Sequence, residues 1–157
     1  MSDHANASPV TRVPPPLAFV GAFLIGLLLQ RIAWPHAGRP PAQLVVLGRA
    51  LVVLGVASGL SAIALFLAHR TTVVPHGQPA RFVVRGPYRF TRNPMYVGLL
   101  VAYAGACAWT GTWLALPFIV LPVLLLSRWV IPMEEAGLRS RFGGEYADYC
   151  LRVRRWL

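Results

Sequence analysis

Residues 95–131 read MYVGLLVAYAGACAWTGTWLALPFIVLPVLLLSRWVI, and this stretch decides the fold class. Two apolar runs, Met95–Trp109 and Trp113–Ile131, are separated only by Thr110, Gly111 and Thr112. Crossing the hydrocarbon core of a bilayer takes about 20 apolar residues in a helix. The pair therefore reads as an antiparallel helical hairpin with a tight turn, and Pro117 and Pro122 are expected to kink its second arm. Outward toward the N-terminus lie two more apolar runs, Leu44–Ala68 and Pro16–Ala33. The later one carries Arg49 about one turn from its start, where the side chain can reach the headgroups. It also carries Gly55-Val-Ala-Ser-Gly59, a spacing of small residues that lets two helices approach closely. The earlier run ends at Gln30, Arg31 and Trp34. It is read as a membrane anchor and not as a signal peptide, because only Arg12 precedes it and no clear small-residue cleavage site follows. Trp34, Trp109, Trp113 and Trp129 all fall at span ends, as an aromatic belt requires. The expected fold class is all-α: a polytopic membrane protein of about four transmembrane helices with a C-terminal amphipathic helical tail.

Composition agrees. Hydrophobic residues make up 56% and charged residues 13%, where soluble domains carry roughly 25% charged residues. The net charge is +10, from 15 basic and 5 acidic residues, and every basic residue is arginine. Their placement decides what the charge means. Arg70, Arg81, Arg85, Arg89 and Arg92 lie in the loop between the second and third runs. Arg128, Arg139, Arg141, Arg152, Arg154 and Arg155 lie at or beyond the end of the fourth, and Arg12 precedes the first. Four crossings put all of these on one face, and Arg31, Arg39 and Arg49 on the other. By the positive-inside rule the first face is cytoplasmic. The expected location is the bacterial inner membrane, with both termini in the cytoplasm. The basic charge is then a topology signal, and with no soluble basic surface or supporting motif a nucleic-acid partner is excluded. Cys107 and Cys150 have no metal or redox spacing and are read as packing residues, with no metal site expected. His36, His69 and His76 sit at span ends or in loops and receive no role. Residues 1–13 are small and polar, and disorder is expected there.

The five acids are unevenly placed: Asp3, Glu134, Glu135, Glu145 and Asp148. Glu134 and Glu135 follow the fourth run directly, at the membrane boundary, where adjacent carboxylates are costly unless they are paired with cations. Arginines of the same face, or a cationic ligand, are the candidates. Pro132 also allows a simpler reading, in which a helix starts here and the acids face its positive end. Beyond them, the tail suits two short helices broken at Gly143-Gly144. Leu138 and Phe142 lie on one face, and Tyr146, Tyr149 and Val153 on another. Before the third run, Arg85-Gly-Pro-Tyr88-Arg-Phe-Thr-Arg92-Asn-Pro-Met-Tyr96-Val-Gly98 places Pro94 in a first helical turn, with Asn93 in position to cap it. Arg92, Asn93 and the free N–H groups of that turn could hold a carboxylate or phosphate.

Gly86-Pro-Tyr-Arg-Phe-Thr-Arg-Asn-Pro-Met-Tyr96-Val-Gly98, then the hairpin, then Glu134-Glu135-x-x-Leu138-x-x-x-Phe142-Gly-x-Glu145-Tyr146-x-x-Tyr149-x-x-x-Val153, resembles the isoprenylcysteine carboxyl methyltransferase and phospholipid methyltransferase superfamily. The resemblance implies S-adenosylmethionine as cofactor, bound at the cytoplasmic ends of the last helices and partly enclosed by the tail. It implies cofactor contacts from Phe82, Val83 and Val84, from Tyr88, from Arg92, Asn93, Pro94 and Tyr96, and from Glu134 or Glu135. Glu134, Glu135 and Arg92 are the candidate catalytic residues. The organisation expected is a disordered stretch at 1–13, a two-helix anchor at 14–68 and a catalytic half at 69–157. One position departs from the pattern: Asn93 stands where the family often has histidine, and an amide can hydrogen-bond but cannot act as a base. The acceptor implied is lipophilic, an isoprenylcysteine-type carboxylate, a phospholipid amine or similar, entering from the surrounding membrane lipids. Two other readings stand beside it: an NADPH-dependent membrane sterol or steroid reductase, and a small non-catalytic membrane protein. Nothing in the sequence specifies an oligomer.

Overall fold

The computed structural model describes residues 14–36, 38–68 and 84–157, except the side chains of 66–68. The expected disorder at 1–13, and the candidate residues Phe82 and Val83, lie outside the described residues. Helix α1 (Pro15–Ala33) and helix α2 (Ala42–Ala68) are followed by a 3-10 turn at Gly86–Arg89 and helix α3 (Pro94–Thr110). The last arm changes winding as it goes: a 3-10 stretch (Trp113–Ile119), helix α4 (Val120–Leu125), a π turn (Leu126–Val130) and helix α5 (Ile131–Arg152). No strand occurs among the described residues. Three segments are long and apolar enough to cross a membrane, and α3 is a shorter apolar helix of 17 residues. The chain is an integral membrane protein of the expected all-α class.

Lipid tails are as apolar as leucine, so burial in water's sense cannot drive these helices together; close backbone approach and hydrogen bonds do. α2 and α3 run side by side along a seam of small residues. A Cβ built at Gly105 would lie 2.7 Å from the Gly48 carbonyl oxygen and 2.8 Å from the Val52 nitrogen. Both are backbone atoms that cannot step aside. The Gly55-xxx-Gly59 pattern serves this same seam, with Gly55 meeting Gly98 and Ala102. Gly105→Val is expected to push the two helices apart and lower stability by about 2–3 kcal/mol, read as a fall in apparent melting temperature in detergent. An unchanged melting temperature would refute the tight seam.

The other arm of the hairpin packs mainly against α1. Phe19 and Phe23 of α1 meet the Tyr103 ring edge-on, with centroids 6.1 and 5.9 Å away, and the Tyr103 hydroxyl donates to the Ala115 carbonyl at 2.7 Å. Gln30 resolves the polar problem of the hairpin turn. Its amide donates to the Gly111 carbonyl at 2.7 Å and accepts from the Leu114 N–H at 3.1 Å. Two backbone groups freed by the turn are thereby satisfied without water. At the same end, the Arg49 guanidinium lies over the Trp109 ring, 5.2 Å from its centroid.

Pro117 and Pro122 are expected to kink the last arm, and Pro117 lies inside the 3-10 stretch. The helix start that Pro132 allows is not a free helix end: α5 begins beside it but follows the π turn without a break. Val130 has α-helical dihedrals (φ −70°, ψ −56°), so the helical path passes through and offers no free N-terminal N–H groups to Glu134 and Glu135. The π turn just before Pro132 supplies one extra residue, which relieves the clash between a proline ring and the carbonyl four residues earlier. It also rotates the chain beyond it. The buried positions run Leu126 and Val130, then shift by one to Ile131 and Glu135. Gly143 breaks α5 where expected, with φ 48° and ψ −119°. The bend folds the two tail faces onto each other, so Leu138 and Phe142 pack against the same cluster as Tyr146, Tyr149 and Val153.

Candidate functional site

The chain entering α3 is held by the far end of the protein. Arg92 donates its backbone N–H to the Arg154 carbonyl at 2.9 Å. The Arg155 carbonyl accepts from Asn93 Nδ2 at 2.8 Å and from the Thr91 hydroxyl at 3.1 Å. Thr91 Oγ1 in turn accepts the Asn93 N–H at 3.1 Å. Asn93 does occupy the cap position of α3, but its side chain makes no capping hydrogen bond; it is spent on the tail. Tyr149 donates its hydroxyl to the Tyr88 carbonyl at 2.7 Å, tying the 3-10 turn to α5.

The two glutamates have different environments. Glu135 is 5% exposed and faces three arginines. Arg155 forks onto it, with Nη2 2.7 Å from Oε2 and Nε 3.1 Å from Oε1. Arg92 Nη1 lies 3.3 Å from Oε1, and Arg139 Nη2 lies 3.6 Å from Oε2, one turn along α5. Glu134, just past the end of the last apolar run, has no ion pair among the described residues. Its partner is neutral: Tyr96 donates its hydroxyl to Oε1 at 2.8 Å. Burial pushes the Glu134 carboxyl up to about 7, the Tyr96 hydrogen bond pulls it down, and the charge of Glu135 adds to the rise. Burial also raises the Tyr88 phenol, helped by Tyr149 and Glu134.

Arg92 links the glutamate pair to the tail. Besides Glu135, its Nη1 lies 2.6 Å from Cys150 Sγ. Cys150 is therefore part of this cluster and not simply a packing residue, whereas Cys107 is fully buried as expected. The Arg92 Nε–H is buried and has no hydrogen-bond partner among the described residues. Among the described residues, one end of the cluster thus offers an unspent cationic donor and the other a carboxylate without an ion pair. An amino-acid zwitterion, with its own carboxylate and cation, complements that pair.

Of the residues that the sequence singles out, the structure gathers Tyr88, Arg92, Asn93, Pro94, Tyr96, Glu134 and Glu135 where the start of α3 meets α5. Val84 joins the neighbouring Tyr146–Tyr149 cluster. Thr91, Arg139, Tyr149, Cys150 and Arg155 also belong to the assembly, and sequence reasoning misses them. In the sequence the arginines carry only a topology signal, and nothing in their spacing marks Arg155 apart from Arg152 or Arg154. Among the described residues no group of histidine, cysteine, aspartate and glutamate could hold a metal.

A helical membrane protein with its charged and tyrosyl groups gathered at one end of its last helices has the build expected of an integral-membrane methyltransferase. The profile of the phospholipid methyltransferase family matches residues 44–145, well over half of the chain, and the chain belongs to that family. It is 38% identical over 63 residues to an uncharacterised protein of Haemophilus influenzae, covering 40% of this chain and 100% of that one. It is also 33% identical over 92 residues to methanethiol S-methyltransferase 1 of Bradyrhizobium diazoefficiens, covering 57% of this chain. The matched segment spans 31% of that enzyme's length. No solved structure matches the chain at a significant level. Membership of a methyltransferase family supports methyl transfer over the reductase and the non-catalytic readings.

Proposed function

We propose that the protein transfers a methyl group from S-adenosylmethionine to a lipophilic acceptor, at a site between the start of α3 and the start of α5. The observation that carries this reading is the contrast between the glutamates: Glu135 is buried and neutralised by arginines, while Glu134 is half-buried and, among the described residues, has a phenol and no cation as its hydrogen-bond partner. A carboxylate half withdrawn from water beside an apolar helix carries a desolvation cost that no cation among the described residues offsets, and a cationic ligand offsets it.

When bound, S-adenosylmethionine supplies a methyl group on a positive sulfur that departs as a neutral thioether. Glu134 provides the negative potential that attracts the cation, and the Tyr96 hydroxyl fixes the orientation of its carboxylate. Arg92, held by Glu135, offers its Nε–H to the carboxylate end of the cofactor. Tyr88 and Tyr96 supply aromatic surface beside the carboxylate. Because the leaving group is good, positioning by these residues can supply much of the rate. Asn93 is committed to the Arg155 carbonyl and cannot take a proton. If the acceptor loses a proton, as an amine or thiol does, the Glu134 carboxylate is the base available among the described residues, since Glu135 is held by arginines and Glu145 and Asp148 are exposed. The name of the methanethiol enzyme gives a thiol as that relative's acceptor, and the family's name points to a phospholipid. The basic face carrying the site is cytoplasmic in this reading, and the acceptor arrives from the bilayer between helices.

Equilibrium binding of S-adenosylmethionine and of NADPH to detergent-purified protein tests the reading. Binding of the first alone is expected; binding of NADPH alone, or of neither, overturns it. Transfer of a radiolabelled methyl group into a native lipid extract then identifies the acceptor.

A further inference from the structure

We propose that Arg155 is a positioning residue that makes the C-terminal tail an integral part of the site, setting Arg92 and Glu135 from both sides. The proposal rests on the reading of this site as the S-adenosylmethionine site. Arg155 grips two elements with two different parts of itself. Its guanidinium forks onto Glu135 of α5, while its carbonyl takes hydrogen bonds from Asn93 and Thr91 at the start of α3. The ring closes through Arg92, whose N–H is held by the Arg154 carbonyl and whose Nη1 returns to Glu135.

Each link has a geometric consequence. A two-pronged arginine fixes the plane of a carboxylate, as a single point charge does not. Fixing the Glu135 plane fixes where Arg92 Nη1 sits, and that in turn directs the unspent Nε–H. The tail has no helical backbone of its own here, since Val153 is extended (φ −124°, ψ 128°). Its course past α3 therefore depends on these polar contacts and on the packing of Val153 and Trp156. Asn93 fits the same account: at a position where a base would be a separate function, its amide serves as an anchor for the tail.

Tail docking and cofactor binding are then one equilibrium. The test compares full-length wild type, Arg155→Ala and Arg155→Lys in detergent, with Leu151→Ala as a control, a side chain 87% exposed and outside the site. Two quantities are read: hydrogen exchange of the segment Thr91–Tyr96 in ligand-free protein, and S-adenosylmethionine affinity by calorimetry. Arg155→Ala is expected to speed exchange in that segment and to weaken binding, each about tenfold or more. Arg155→Lys, keeping the charge but not the fork, recovers part of the loss, and Leu151→Ala changes neither. The double variant Arg155→Ala/Glu135→Gln is expected to be no worse than the weaker single variant, because both break one link. The proposal is overturned if faster exchange is confined to residues 153–157, or if exchange rises while affinity stays at the wild-type value. Failure of wild type to bind S-adenosylmethionine would sink the functional reading instead, and the exchange measurement would still decide whether Arg155 holds the start of α3.

Discussion

Glu134→Gln protein is expected to bind S-adenosylmethionine at least about 100-fold more weakly than wild type at pH 8, while remaining folded. A cation about 4 Å from a carboxylate near a protein surface gains about 4 kcal/mol, and each 1.4 kcal/mol is tenfold in affinity. Two decades leave room for the desolvation that opposes this gain. The glutamine is nearly isosteric and its carbonyl can still accept from Tyr96, so the local structure survives. Stability should move the other way. With its folded value raised to about 7 by burial, Glu134 favours the folded state most below the ordinary carboxyl range, and this advantage is lost as the pH rises through about 7. At pH 8 the wild-type carboxylate is a cost to folding, and removing it is expected to raise stability by about 1–3 kcal/mol. A variant that is more stable and does not bind is the signature of a charge kept for a ligand. The same shift sets the pH dependence. Wild-type affinity should fall about tenfold per pH unit below 7 as Glu134 takes up a proton, and the glutamine variant should show no such slope. Equal affinity in the two proteins, or parallel pH profiles, would refute the role given to Glu134.

Glu135→Ala is expected to lower stability by about 3 kcal/mol or more, the opposite sign at the adjacent position. Removing one partner of a buried ion pair leaves an uncompensated charge. Here the cost falls unevenly across the three arginines. Arg139 is already 64% exposed and Arg155 36%, so both can turn to water; Arg92, with its side chain 16% exposed, cannot do so easily. In the proposed site Arg92 also directs its Nε–H toward the cofactor, so binding is expected to fail together with stability. Thermal unfolding in detergent, followed by helical circular dichroism, reads the first effect and calorimetry the second. A Glu135→Ala protein as stable as wild type would show that the arginines find other partners.

The sequence is most legible where one kind of residue has one physical use. Long apolar runs in a chain this poor in charge read as membrane helices, the tryptophans mark their ends, and a turn of three residues between two runs forces a hairpin. The Glu134-Glu135 pair stands out because acids are so scarce in this chain and these two lie against a span. Gly143 is readable as a break because two glycines interrupt an amphipathic pattern. Other features are not legible. Pro132 suggests a helix start, since proline at a first turn is common, but a π turn accommodates it within a continuous helix. Asn93 suggests a cap, but its amide finds a better acceptor in the Arg155 carbonyl, sixty-two residues away.

By itself the sequence determined the class of molecule, the order of its apolar helices, and the two short segments where polar groups gather. These come from composition and local spacing, because lipid imposes one rule on every residue of a span. Which glutamate is neutralised by arginines and which is bonded to a phenol was decided only by tertiary structure. Adjacent residues on a helix point about 100° apart, and the π turn sets which direction each takes. One direction meets Arg92, Arg139 and Arg155, and the other meets Tyr96. An identical pair of letters in the chain becomes two different groups because the tail returns past the start of α3, a long-range contact with no local mark.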